Sequence, residues 1–237
     1  MHKIEAEHFT QMTFLSPRKK KQKRVRDDFK AFLVEGARFT SIEQYPIIEP
    51  WMIPDIDEIR VVPFNKIDRI SNLEDYYICF YCRDKDFRKT MNNPRQYLKL
   101  FRRAKGLIGF DFSVYSDMPI VKQKAQMYDN LALSFFYGMR NIPVIPNIRY
   151  GNESTRDEFL TAIPKHSVIS IGSYGCVRSN EEKRVFKAFL SDSLPVLQPK
   201  EVVVYGAMPD DVFGDFHDQY TFIQCPAYIE NEMREVG

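Results

Sequence analysis

Between residues 59 and 224 the chain alternates short apolar runs with helical patterns, and no other feature restricts its fold as much. The runs are Ile59 to Val62, Tyr76 to Tyr81, Leu107 to Phe110, Val144 to Ile148, Val168 to Ile171 and Val202 to Tyr205, with a last one at Thr221 to Gln224. Several are apolar almost throughout, which suits strands buried on both faces. Strands separated by helices imply parallel pairing through right-handed crossovers. The predicted class is therefore α/β: a mostly parallel sheet, open or barrel-like, with crossover helices. It forms a single domain over residues 27–237, and the pattern does not choose between an open sheet and a barrel.

The intervening segments support this. Asn93 is placed to cap a helix that has Pro94 at its first position and stops at Gly106. On that helix Tyr97, Leu98, Leu100, Phe101 and Ala104 share one side, and Arg95, Lys99, Arg102 and Arg103 the other. A long helix over Pro119 to Met139 ends in LALSFFYGM, apolar nearly all round, so its second half is expected to be buried. Asn180 is expected to cap a third helix, with Glu181 and Glu182 in its positive first turn. Its core stripe is Val185, Phe186, Phe189 and Leu190. Ahead of the first strand, prolines 46, 50, 54 and 63 argue for an extended, packed-down lead-in.

Charge is unevenly placed. The run RKKKQKRVR, residues 18–26, carries seven positive charges of a net +2, so the remainder stands at −5. The expected organisation is a basic N-terminal arm, residues 1–26, followed by the domain. A solvated arm and a contact to nucleic acid or another polyanion both fit such a run. The nucleic-acid contacts expected on the second reading are Arg18, Lys19, Lys20, Lys21, Lys23 and Arg24, together with the Arg95, Lys99 and Arg102 face. No apolar run approaches the roughly 20 residues of a membrane span, so no membrane partner is expected. The start, MHKIEAEHF, lacks the apolar stretch of a signal peptide. Four cysteines show no secreted-scaffold pattern, which suits a reducing cytoplasm.

Polar residues gather where the apolar runs end. In parallel α/β folds the loops after the strands' carboxyl ends share one edge, and ligands bind there. Asp111, Ser113 and Tyr115 follow one run; Asn147, Arg149 and Tyr150 another; Ser170, Ser173, Tyr174 and Cys176 a third; Tyr205 and Gly206 a fourth. Helix caps and turns use the same residue types, which accounts for Asn152, Ser154 and Asn180 more readily than for Asp111 or Arg149. Asp111, Ser113, Arg149 and Tyr205 are the candidate catalytic residues. In SIGSYGCVRSN, Gly172, Ser173, Gly175 and Arg178 are candidate anion-binding residues, because glycines let backbone N–H groups approach an oxyanion and arginine adds a planar fork. A tight strand-to-helix turn fits the same residues, and the segment lacks the Lys-Ser/Thr of a P-loop. Cys79 and Cys82, three apart on a strand, point to opposite faces and so suit neither a shared metal nor a disulfide. Asp84, Asp86, Asp210, Asp211 and Asp215 could join Asp111 around a hard cation, but surface and capping roles explain them as well. No metal ligand is assigned, and the cofactor is left open.

The segments FYCRDKDFRKTMNNPRQYLKLFRRAKGLIGFDFSVYSDMP, NIPVIPNIRYG, HSVISIGSYGC and VVVYG resemble domain-of-unknown-function family 4417 over roughly residues 30–220. The resemblance rests on Asp111, Phe112 and Ser113; Val144, Ile145 and Pro146; Ser170 and Gly175; and Tyr205 and Gly206. It implies a phage or mobile-element setting, hence a host-cell cytoplasm, and brings no activity. The leading expectation is an accessory protein associated with nucleic acid, with a polar cleft at the strand ends. One alternative is an enzyme acting on a nucleotide-like or phosphorylated small molecule, and another is a non-catalytic protein that binds a host protein.

Overall fold

The computed structural model describes residues 30–228. In chain order the regular elements are β1 (Val61–Pro63), β2 (Tyr77–Cys79), α1 (Asp84–Asn92), α2 (Leu98–Phe101), β3 (Gly106–Ile108), α3 (Ile120–Gly138), β4 (Val144–Ile145), α4 (Glu153–Thr161), β5 (Val168–Gly172), α5 (Asn180–Leu197), β6 (Glu201–Tyr205), α6 (Asp210–Phe213) and β7 (Phe222–Cys225). Short 3-10 turns fill several connections, including Phe64–Arg69 after β1 and Pro94–Tyr97 before α2.

Every strand pair is parallel and joins strands adjacent in sequence. One sheet runs β1-β2-β3-β4 and a second β5-β6-β7. A parallel bridge between Asn147 and Ser170 links them. Ser170 N–H donates to Pro146 O and Ile148 N–H to Ser170 O, each at 2.9 Å. Nearest-neighbour parallel order sends every right-handed crossover to the same face, so helices cover one side only and the sheet must curl to bury the other.

It does curl. Tyr77, Cys79, Ile108, Ile145, Val168, Val203, Tyr205 and Cys225, drawn from β2 to β7, form one interior cluster, with Val61 of β1 packed against it. The ring of Tyr81, just past β2, stacks on Tyr205 of β6 at 5.1 Å between centroids. Those strands stand four places apart, about 19 Å in a flat sheet. The arrangement is barrel-like, although among the described residues no ladder joins β7 to β1. Alternate residues face outward to two helix-covered clusters. Ile78, Phe80, Leu107 and Val144 meet Phe87, Phe101, Phe136 and Tyr137 in one, and Ile169, Ile171, Val202 and Val204 meet Phe186, Leu190 and Phe159 in the other.

All seven expected strands are present; β5 and β6 are each one residue longer than expected, and the other five are shortened or shifted. The segment after Asn93 is a 3-10 turn followed by one α-helical turn rather than a continuous helix, and the Asn93 side chain makes no capping bond. Its faces are as expected: Phe101 is fully buried, while Arg95, Lys99 and Arg102 are exposed. The cap of α5 is Ser179, not Asn180; Ser179 accepts from Glu182 N–H, and the Glu182 carboxylate returns to Ser179 N–H at 2.8 Å. A serine followed three residues on by Glu is a capping box, which a choice based on residue 180 alone overlooks. The proline-rich lead-in packs down as expected, with Tyr45, Ile48 and Met52 in the core beside α4 and α5. Cys79 faces the interior cluster and Cys82 packs against an outer one, on opposite sides of the sheet.

Candidate functional site

Alternation along β2 puts Tyr77, Cys79 and then Tyr81 on the interior face, so the last of these arrives at the carboxyl mouth of the curled sheet. Gly172 makes room for it. A Cβ there would lie 2.7 Å from the Tyr81 ring, so the glycine expected to bring backbone to an anion instead brings β5 against an aromatic ring. The Tyr81 hydroxyl donates to Asn147 Oδ1 at 2.9 Å, and Asn147 Nδ2 donates to Asp111 Oδ1 at 2.8 Å. Arg149, two residues beyond Asn147 and on the same side of the strand extension, brings its Nε to 3.8 Å from Asp111 Oδ1. The Asp111 side chain is 14% exposed and that of Arg149 26%. Four strand ends thus contribute to one chain of contacts: Tyr205–Tyr81–Asn147–Asp111–Arg149.

Burial sets the electrostatics. It raises the Asp111 carboxyl above the ordinary carboxylate value; the Arg149 charge and the Asn147 hydrogen bond offset this in part, and the negative Asp84 adds to it. Asp111 in turn holds the Arg149 guanidinium more firmly protonated. Burial pushes the Tyr81 hydroxyl well up, with Asp111 reinforcing the shift, so Tyr81 keeps its proton and serves as a donor. Cys176, half-buried near Arg149, is also raised by burial, the opposite of what an activated thiolate needs.

Arg149 is the link to solvent. It lines an open cleft of about 510 Å³ between the loops after β3 and β4 and the first half of α5. Ile148, Ile171, Phe186 and Phe189 supply apolar walls, and the carboxylates Glu153, Glu181, Glu182 and Asp192 also line it. Asp111 lies behind Arg149 and is not part of the lining.

The other expected site residues fall out as follows. Ser113 turns away from Asp111; its hydroxyl donates to Asp84 Oδ1 at 2.8 Å, tying the loop after β3 to the start of α1. Tyr205 joins the cluster through its ring, while its hydroxyl accepts from Tyr228 N–H at 3.1 Å. Gly172 and Gly175 line the cleft. Ser173 and Tyr174 N–H both bond to Tyr205 O, and the Ser173 hydroxyl donates to Ala207 O. Arg178 and Ser179 N–H are taken by Glu182 Oε2. The glycine loop therefore spends those donors within the protein, with the Glu182 carboxylate standing where an external anion was expected. Arg178 is exposed, with its guanidinium near Gly175. Asp211 and Asp215 pair with Lys183 and Lys187, and Asp86 with Arg83, so these acids do not gather at Asp111. Arg18, Lys19, Lys20, Lys21, Lys23 and Arg24 lie outside the described residues.

Sequence reasoning missed Tyr81. The alternation in YYICFY that placed Cys79 also places Tyr81 on the interior face, but its partner Gly172 could be found only once the sheet was known to curl.

The family described as Domain of unknown function (DUF4417) matches residues 45–225. The chain belongs to this family. Asp111, Asn147, Arg149 and Tyr205 all fall inside the matched stretch, and the basic run at 18–26 falls outside it. Among its relatives, the Gene 1 protein of Mycobacterium phage D29 is 22% identical over 200 residues, covering 81% of this chain and 73% of that one. The Gene 1 protein of Mycobacterium phage L5 is 24% identical over 129 residues, covering 54% of this chain and 56% of that one. No solved structure matches the chain. The family is thus phage-associated, and no function is assigned to it. Among the described residues no helix is long and apolar enough to cross a membrane.

Proposed function

We propose that the protein binds a small molecule carrying an anionic group at the carboxyl edge of its sheet, with Arg149 as the contact. The observation that carries this reading is the position of Arg149, which reaches the 510 Å³ cleft on one side and the buried Asp111 on the other. Asp111, itself held by Asn147, and Val114 O position the guanidinium, and the apolar walls suit a heterocyclic or hydrocarbon body. Glu153, Glu181, Glu182 and Asp192 in the lining disfavour a polyphosphate, so the substrate class narrows from nucleotide-like or phosphorylated molecules in general to those with one phosphate or carboxylate. Asp111 lies behind Arg149 and outside the cleft lining, so it acts on a ligand through the guanidinium that it orients.

A thermal-shift panel of nucleoside monophosphates, sugar monophosphates and aromatic carboxylates tests this. A ligand present at 100 times its Kd should stabilise the folded chain by about 2.7 kcal/mol. The stabilisation should vanish in a combined Asp111→Asn/Arg149→Gln variant, which removes both charges and leaves neither unpaired. A panel without any response, or a response unchanged in that variant, would overturn the reading.

A second reading, association with nucleic acid, is favoured by a separate observation. Arg95, Lys99 and Arg102 are exposed on one face of the segment between α1 and β3, and among the described residues none of them is ion-paired with a carboxylate.

A further inference from the structure

The second reading leaves open where on the protein a polyanion would sit, and a site for one rests on that reading. Two of the exposed arginines are neighbours of a third cation from a different part of the chain. Arg140, just past the end of α3, lies flat on the Phe136 ring with its guanidinium carbon 3.6 Å from the centroid, and it donates to Phe136 O at 2.8 Å. Phe136 meets Phe32 edge-on at 5.8 Å, and Arg95 covers Phe32 at 4.6 Å. The two segments are locked together beneath the arginines. The Tyr137 hydroxyl donates to Pro94 O at 2.9 Å, and the Tyr137 ring packs on Phe101 at 4.9 Å. Arg140 feels the positive charges of both Arg95 and Arg102, which, after burial, make its protonated form less favourable; Glu35 offsets this in part. Like charges held on rigid aromatic supports cost stability unless an anion relieves them.

Lys30, two residues before the Phe32 that supports Arg95, donates from Nζ to Met91 O at 2.9 Å.

We infer that Arg95, Arg102 and Arg140 form a preformed site for the phosphate backbone of nucleic acid. Guanidiniums held on aromatic rings, as those of Arg95 and Arg140 are, keep donors for phosphate oxygens and contact backbone rather than bases. Binding is thus expected to be sequence-independent and steeply dependent on salt.

The test is fluorescence anisotropy of a labelled random-sequence DNA duplex with the full chain, titrated at several salt concentrations. Arg95→Gln/Arg102→Gln/Arg140→Gln should weaken binding at low salt at least tenfold and lower the slope of log K against log salt by about two to three. A control with the same charge change at exposed sites elsewhere, Lys85→Gln/Lys122→Gln/Lys165→Gln, should change affinity less than about twofold. Should the triple variant fail to fold by circular dichroism, Arg95→Gln/Arg102→Gln, which leaves the stacked Arg140 in place, should still lower the slope by about one to two. Equal losses in patch and control variants would overturn the inference. So would an unchanged patch variant alongside a chain that loses binding when residues 18–26 are deleted, and in that case the nucleic-acid reading itself survives. A wild-type chain that binds no DNA, or binds only vesicles containing anionic lipid, would overturn both.

Discussion

At the scale of single residues, Asp111 poses the sharpest question. A carboxylate placed directly after a buried strand is costly to desolvate unless partners compensate. Here one oxygen has Asn147 and the charge has Arg149 at 3.8 Å, and burial still outweighs both. Its folded-state pKa therefore lies above its unfolded value, so the ionised form costs stability. That cost is absent below the ordinary carboxylate pKa, grows as pH rises through the interval up to the raised value, and is constant above it. Asp111→Asn keeps the shape and removes the charge. Urea titrations should find the variant equal to or more stable than wild type at neutral pH, with the difference moving against the variant on acidification. Ligand binding at Arg149 should be impaired even so, because the guanidinium loses the group that orients it. A variant that is strongly destabilised at neutral pH yet binds ligand normally would make Asp111 a purely structural partner of Arg149.

At the scale of elements, the segment from Pro94 to Phe101 shows what periodicity can and cannot convey. Its faces were legible, because a 3-10 turn followed by an α-turn still separates Tyr97, Leu98 and Phe101 from Arg95, Lys99 and Arg102. Its regularity was not, since nothing in those side chains distinguishes i→i+3 from i→i+4 bonding. Phe101, fully buried between Phe64, Phe80 and Tyr137, should cost about 3–5 kcal/mol when replaced by alanine. Lys99→Ala, at an exposed position, should change stability by no more than roughly 0.5 kcal/mol. Denaturant midpoints in the opposite order would mean the faces are exchanged. The glycine loop after β5 is the converse case. Its residue types matched an anion cradle, but whether N–H groups are free depends on what the next strand presents. Tyr205 O takes two of them, and Gly206 permits that approach with a φ of 123°, where a Cβ would come within 2.6 Å of Tyr174 N.

At the scale of the molecule, the parallel order was readable from strand–helix alternation, and the curl was not. Closure depends on side chains meeting across strands far apart in sequence, such as Tyr81 with Tyr205, and periodicity carries only local information. The shared interior makes the two sheets one cooperative unit. Val203→Ala, in the three-stranded sheet but packed in the common cluster, should lower stability by about 2 kcal/mol. Amide exchange should accelerate together in β2 and β6, and exchange confined to β5–β7 would show two separable units. The nearest-neighbour strand order also has a consequence for synthesis. As the chain leaves the ribosome, each strand pairs with the one made just before it, so the ladders can grow without waiting for distant sequence. The mouth of the curled sheet is different. Tyr81 is made early, Asn147 and Arg149 midway, and Tyr205, whose ring covers Tyr81, near the end. A nascent chain can therefore hold most of its scaffold while the pocket is still unfinished, and translation that stops short of β6 leaves a sheet whose site was never assembled.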